Sequence, residues 1–140
     1  MKTILLPIDL YSNSRQILED ALAFLQNVGG HRHICLLKTY SVPVSFSDQV
    51  IDTHDKLQNR SLEELQNELK AAKELANDGN TSFESMLQMG KPINVITRLT
   101  KERNITCIII EQSANGTKQE EILHLLNSVP CPIVILPMAK

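Results

Sequence analysis

The chain contains no tryptophan, and aromatic residues make up only 4% of its 140 positions. So few rings argue against the stacked platforms on which proteins hold single-stranded bases or sugars. Positive charge is also short: 14 basic against 16 acidic side chains give a net charge of -2, with no basic block that could release counterions from a nucleic acid. Direct DNA or RNA binding is therefore not expected. No apolar run approaches the roughly 20 residues of a membrane-spanning helix. The first such run, Ile4-Leu5-Leu6-Pro7-Ile8, is broken by Pro7 and Asp9 before it reaches signal-sequence length. Three cysteines, Cys35, Cys107 and Cys131, form no CxxC pair and lie in or beside apolar runs. Buried thiols in a reducing, cytoplasmic compartment fit this pattern better than disulfides. Glycine, finally, is scarce, with five in the whole chain.

What is present is an alternation of short apolar runs with amphipathic stretches. Ile4–Ile8 reads as a strand buried on both faces and closed by Asp9. Ser14 suits the cap of a helix carrying Ile17, Leu18, Ala21, Leu22, Leu25 and Val28 at helical spacing, ended by Gly29-Gly30. Ile34–Leu37 follows as a second strand, and Ser41 to Asp55 reads as a long loop and candidate lid. From Lys56 to Ala76, leucines 57, 62, 65, 69 and 75 form the apolar stripe of an exposed helix. Thr81–Met89 mixes polar and apolar positions, as an outer strand would. A Gly90-Lys91-Pro92 turn then leads into a helix with Ile93, Ile96 and Leu99 inward, ending near Asn104. Thr106–Ile110 is the clearest central strand, Thr117–Asn127 a fourth helix, and Ile133–Leu136 a fifth strand.

Strands alternating with helices demand crossover connections, hence a doubly wound five-stranded parallel α/β sheet with helices on both faces, in one domain over residues 1–140. Ligands of such sheets bind beyond the strand C-termini where the strand order reverses, which directs attention to Asp9 and to the connection beginning at Glu111.

The order and spacing of Ile4-Leu5-Leu6-Pro7-Ile8-Asp9 with Ser14, Gly90-Lys91-Pro92, Thr106–Ile110 and Val129-Pro130-Cys131-Pro132-Ile133-Val134 resemble the universal stress protein family over nearly the whole chain. The resemblance implies an adenine nucleotide alpha hydrolase-like fold with strand order 3-2-1-4-5. It also implies a contact of Asp9 with the adenine or ribose region, a main-chain contact at Thr39, and a crevice bounded by Gly90. Nucleotide-binding members follow their fourth strand with Gly, two residues, Gly, nine residues, then Gly and Ser or Thr, so that backbone amides and the start of the fourth helix hold the phosphates.

This chain departs from that pattern. Glu111 stands at the first glycine, Ala114 at the second and Gln119-Glu120 at the final Gly-Ser; the loop is about five residues short, and Gly116 is its single glycine. Glu111 would bring negative charge to a polyphosphate, and Thr117-Lys118-Gln119-Glu120 matches a capping box that fills the helix start from within. The expectation is a divergent member with no cofactor, the alternative being ATP or AMP held by Asp9 and a rearranged 111–120 loop. The loop also lacks a lysine or arginine at 111–117 to stabilise developing charge, so no enzymatic activity is expected.

Other constellations carry less. His31 and His33 lack a third ligand in nearby sequence, and Ser113 has no nucleophile elbow around it. The last strand, flat and apolar, is expected at a sheet edge that a second copy would cover. The resemblance implies the same: homodimerisation through Ile133, Val134, Ile135 and Leu136.

Overall fold

The structure, a computed structural model, describes residues 2–8, 14–40, 48–76, 79–111 and 119–137; for residues 14, 48–55, 119 and 121 it describes the backbone alone. Among the described residues nine elements alternate. They are β1 (Lys2–Pro7), α1 (Ser14–Gln26), β2 (Arg32–Tyr40), α2 (Asp48–Leu75), β3 (Thr81–Met89), α3 (Pro92–Glu102), β4 (Cys107–Glu111), α4 (Gln119–Ser128) and β5 (Ile133–Leu136). The strands form one parallel sheet in the order β3-β2-β1-β4-β5, as the alternation and the resemblance imply.

Two apolar clusters cover the sheet's two faces. Ile4, Leu6, Ile34, Leu36, Ile109 and Leu136 pack with Ile17, Leu18, Ala21 and Leu25 of α1 and Leu65 and Ala72 of α2. Leu5, Cys35, Leu37, Ile108 and Ile110 pack with Val95, Ile96 and Leu99 of α3 and Leu125 of α4. Successive residues of β1 and β4 thus serve opposite faces, which is why both strands read as unbroken apolar runs.

Several expectations need correction. Asp48–Asp55 belong to α2 rather than to a loop; the rest of the expected lid, 41–47, lies outside the described residues. The stripe on α2 is rotated: Leu62 and Leu75 are exposed, while Ser61, Leu65, Ala71 and Ala72 face inward. Ser61, Ala71 and Ala72 are small enough to let the helix come close to the sheet around Leu65. Val28 lies beyond α1 and is exposed, the chain turning at Gly29 and Gly30 with φ of +75° and +83°. The helix after β3 stops at Glu102, two residues before Asn104.

Arg32 does more than lead into β2. Only 5% exposed, it donates from Nη1 to the Leu25 carbonyl at 2.8 Å and from Nε to Thr81 Oγ1 at 3.1 Å, tying the end of α1 to β3. The same carbonyl, in the last turn of α1, also accepts from the Val28 N–H at 3.1 Å, so Arg32 is its second donor. Leu18, fully buried between α1 and the sheet, should cost about 2–5 kcal/mol when changed to Ala. A fall in the urea midpoint with unchanged slope would register it.

Candidate functional site

A parallel sheet of this order reverses direction between β1 and β4, so their C-terminal ends bound the expected crevice. Local chemistry opens it. Ile8 donates its N–H to the Leu37 carbonyl of β2 at 2.9 Å, and the Thr3 carbonyl accepts from Thr106, before β4, at 2.8 Å. By the alternation of a parallel ladder, Pro7 therefore faces β4, where it has no N–H to give. The β1–β4 register pairs end at Leu5↔Ile108, whereas those of β1 with β2 continue to Pro7↔Leu37.

Beyond the last of these pairs, β4 ends in Glu111. Expected as the first residue of the connection, it is instead the last residue of the strand, paired in register with Leu136 and only 7% exposed. Its Oε2 has no hydrogen-bond partner. Burial pushes its carboxyl above the ordinary range, and the charge of Asp20 on α1 pushes it further. Asp20 accepts from Gln16 Nε2 at Oδ1, 3.0 Å away, while its buried Oδ2 is also unpartnered. Sequence reasoning missed Asp20. It stands on a helix face beside Ile17 and Ala21, where only the packing of α1 over β4 brings it to the strand end.

The remaining expected residues are distributed as follows. Thr39 is buried near the end of β2, opposite Gln88. Gly90 follows β3 with φ of +134°, donates its N–H to the Tyr40 carbonyl at 2.9 Å, and would place a Cβ 3.2 Å from the Val95 side chain. Glu120 is exposed in the first turn of α4. Asp9, Ala114 and Gly116 lie outside the described residues, as do Thr117 of the capping box and Ser113. No group of three His, Cys, Asp or Glu side chains that could hold a metal is found among the described residues.

His33 belongs to a different cluster, at the opposite ends of β2 and β3. Its Nδ1 is 2.7 Å from Ser82 Oγ and its Nε2 is 3.5 Å from Glu84 Oε2; Glu84 also pairs with Arg103 just beyond α3. Burial and the neighbouring Glu84 charge push the Cys35 thiol up to about 12, so that thiol is unreactive. These contacts join the β3 edge to α3. A hollow of about 620 Å3 lined by Lys56, Asn59, Arg60, Leu62, Glu63, Gln66 and Asn67 runs along α2, and none of the described site residues lines it.

A family model for universal stress proteins matches residues 1–137. The chain belongs to the universal stress protein family. Solved structures agree on the fold. Universal stress protein UspA from Lactobacillus plantarum is 12% identical with a TM-score of 0.74, covering 96% of this chain and 97% of that one. A family member from Arabidopsis thaliana with AMP bound is 12% identical with a TM-score of 0.66, covering 100% of this chain and 94% of that one. A universal stress protein in complex with cAMP is 14% identical with a TM-score of 0.64, covering 96% of each chain. A search of curated proteins returns no match. Within this family the chain is a divergent member: the sequence between β4 and α4 holds a single glycine, Gly116.

Two consequences are measurable. Gly90→Ala should lose about 1–3 kcal/mol, because the alanine inherits a positive φ and presses on Val95. Because the folded-state pKa of Glu111 is raised, its contribution to stability is full below its unfolded value, about 4.3, and is lost as pH rises through the folded value. Glu111→Gln should therefore be more stable than the wild type at neutral pH. Urea melts across pH should show the two proteins converging in acid.

Proposed function

We propose that this universal stress protein is a cytoplasmic, homodimeric binding or regulatory module of the stress response, a single domain whose crevice does not hold ATP in the family's manner. The observation that carries this reading is the buried Glu111 carboxylate at the end of β4. A polyphosphate beginning its path there would meet a negative charge with an unpartnered oxygen and a second carboxylate, Asp20, behind it. Like charges in a poorly solvated site repel strongly enough to outweigh the modest gain from a helix N-terminus. Glu120, in the first turn of α4, adds a further charge of the same sign.

Relatives crystallised with AMP and with cAMP favour a second reading, in which a nucleoside monophosphate is held by Asp9 and a rearranged 111–120 loop. Such ligands carry fewer phosphate charges to repel. Calorimetry with MgATP, AMP and cAMP separates the readings. The first predicts no tight ATP binding; micromolar, magnesium-dependent ATP binding abolished by Asp9→Ala would overturn it. AMP binding without ATP binding would establish the second.

Support for the dimer comes from the β5 edge of the sheet. Ile135 on β5 and Leu123 and Leu126 on α4 are exposed, and an apolar, unpaired edge strand invites a partner. Ile133 and Val134 are partly buried against opposite faces of the sheet and Leu136 is buried, so Ile135 is the residue of β5 left for a second copy to cover. Light scattering should give a dimer at micromolar concentration and a monomer for Ile135→Glu. A monomeric wild type would contradict this part of the proposal.

A further inference from the structure

We propose that the junction of α1 with the end of β4 binds the primary ammonium group of a small amine, held between the carboxylates of Asp20 and Glu111. The inference rests on the reading above, that negative charge has replaced phosphate binding at this end of the sheet, and names what that charge would recognise.

Geometry places both groups on one face. Ile109 and Leu136 lie in the cluster beneath α1, and Glu111 follows Ile109 by two residues and pairs in register with Leu136, so its side chain projects to the same side. Asp20 lies on α1 between Leu18 and Ala21, both members of that cluster. Glu111 is more than nine-tenths buried, and Oε2 of Glu111 and Oδ2 of Asp20 each lack a partner. Arg15, the nearest cation along α1, lies 3.9 Å from Glu68 instead. Among the described residues no lysine or arginine pairs with either carboxylate.

A buried carboxylate without a counter-charge is costly, and a structure that retains one gains most from a ligand that supplies it. An alkylammonium carries one positive charge and three N–H donors, enough to bond both orphan oxygens and leave a donor for water. A bare divalent cation fits less well. It asks for six or more oxygen ligands, and no group of three candidate metal-binding side chains is present among the described residues.

The test is thermal shift and calorimetry with putrescine at fixed ionic strength. 1,4-Butanediol serves as the uncharged isostere and magnesium chloride as the metal. The wild type should be stabilised saturably by putrescine and not by the diol. Asp20→Asn and Glu111→Gln should each weaken binding at least tenfold, and Glu102→Gln should leave it unchanged. Loss of folding does not confuse the result, since Glu111→Gln is expected to be the more stable protein before ligand is added. No saturable effect on the wild type, an equal effect on the carboxylate variants, or a Glu111-dependent effect of magnesium that exceeds that of putrescine would each overturn the inference. An ATP titration of the same sample keeps the two readings apart. Binding of neither ligand overturns the ammonium site alone, whereas tight ATP binding without putrescine binding overturns both.

Discussion

Parallel strands cannot be joined by hairpins, and nearly everything in this molecule follows from that constraint. Each strand must be followed by a crossover helix, so all five strands point the same way and end along one rim of the sheet. The helices must cover both faces, which places the two apolar clusters and makes Ile4–Leu6 of β1 and Ile108–Ile110 of β4 apolar on both faces. Chain order then puts β1 beside β4 at the reversal point. There the β1–β4 register ends early, beside Pro7 with no N–H to give, and β4 ends in a carboxylate.

Burying that carboxylate has a cost that the surrounding core must offset. A neutral residue at position 111 would extend the apolar run of Ile108–Ile110, and selection for stability alone would favour it. Glu111 has no hydrogen bond to its Oε2 and has another carboxylate near it, an arrangement more readily understood as a binding feature than as a structural one. The contrast within the same sheet is instructive. Glu84, at the other end, is held below the ordinary carboxyl range: burial acts against it, but hydrogen bonds from Arg103 and Cys35 and the guanidinium charge prevail. One carboxylate is paired and structural; the other is left unpaired at the rim where ligands of this fold class bind.

Much of this was legible in the sequence where burial is two-sided or a period is sustained. β3 and β5 fall at Thr81–Met89 and Ile133–Leu136 as read, and both lie at the sheet's edges, β3 with the mixed composition of an outer strand and β5 as a flat apolar one. The start of α2 was not legible, because Asp48, Gln49, Asp52, Thr53, His54 and Asp55 show no apolar period to announce a helix. Its inward stripe was misread because Ser61, Ala71 and Ala72, rather than Leu62 and Leu75, make the close approach. Glu111 was recognised as important for its charge, yet assigned to a loop, since a reader of apolar runs stops a strand at its first charged residue. Asp20 gave no signal at all: its role depends on which helix crosses which strand, a fact of tertiary packing.

The Glu111 carboxyl is buried, close to a like charge, and has no hydrogen bond at Oε2. Carbon-13 NMR titration of the Glu111 side-chain carboxyl measures that state directly. Glu111 should titrate above the ordinary carboxylate range and move downward when Asp20 is changed to Asn. A Glu111 that titrates at or below the ordinary range, indifferent to Asp20, would mean that the carboxylate is solvated or paired, and the case for a charge-converted crevice would fail.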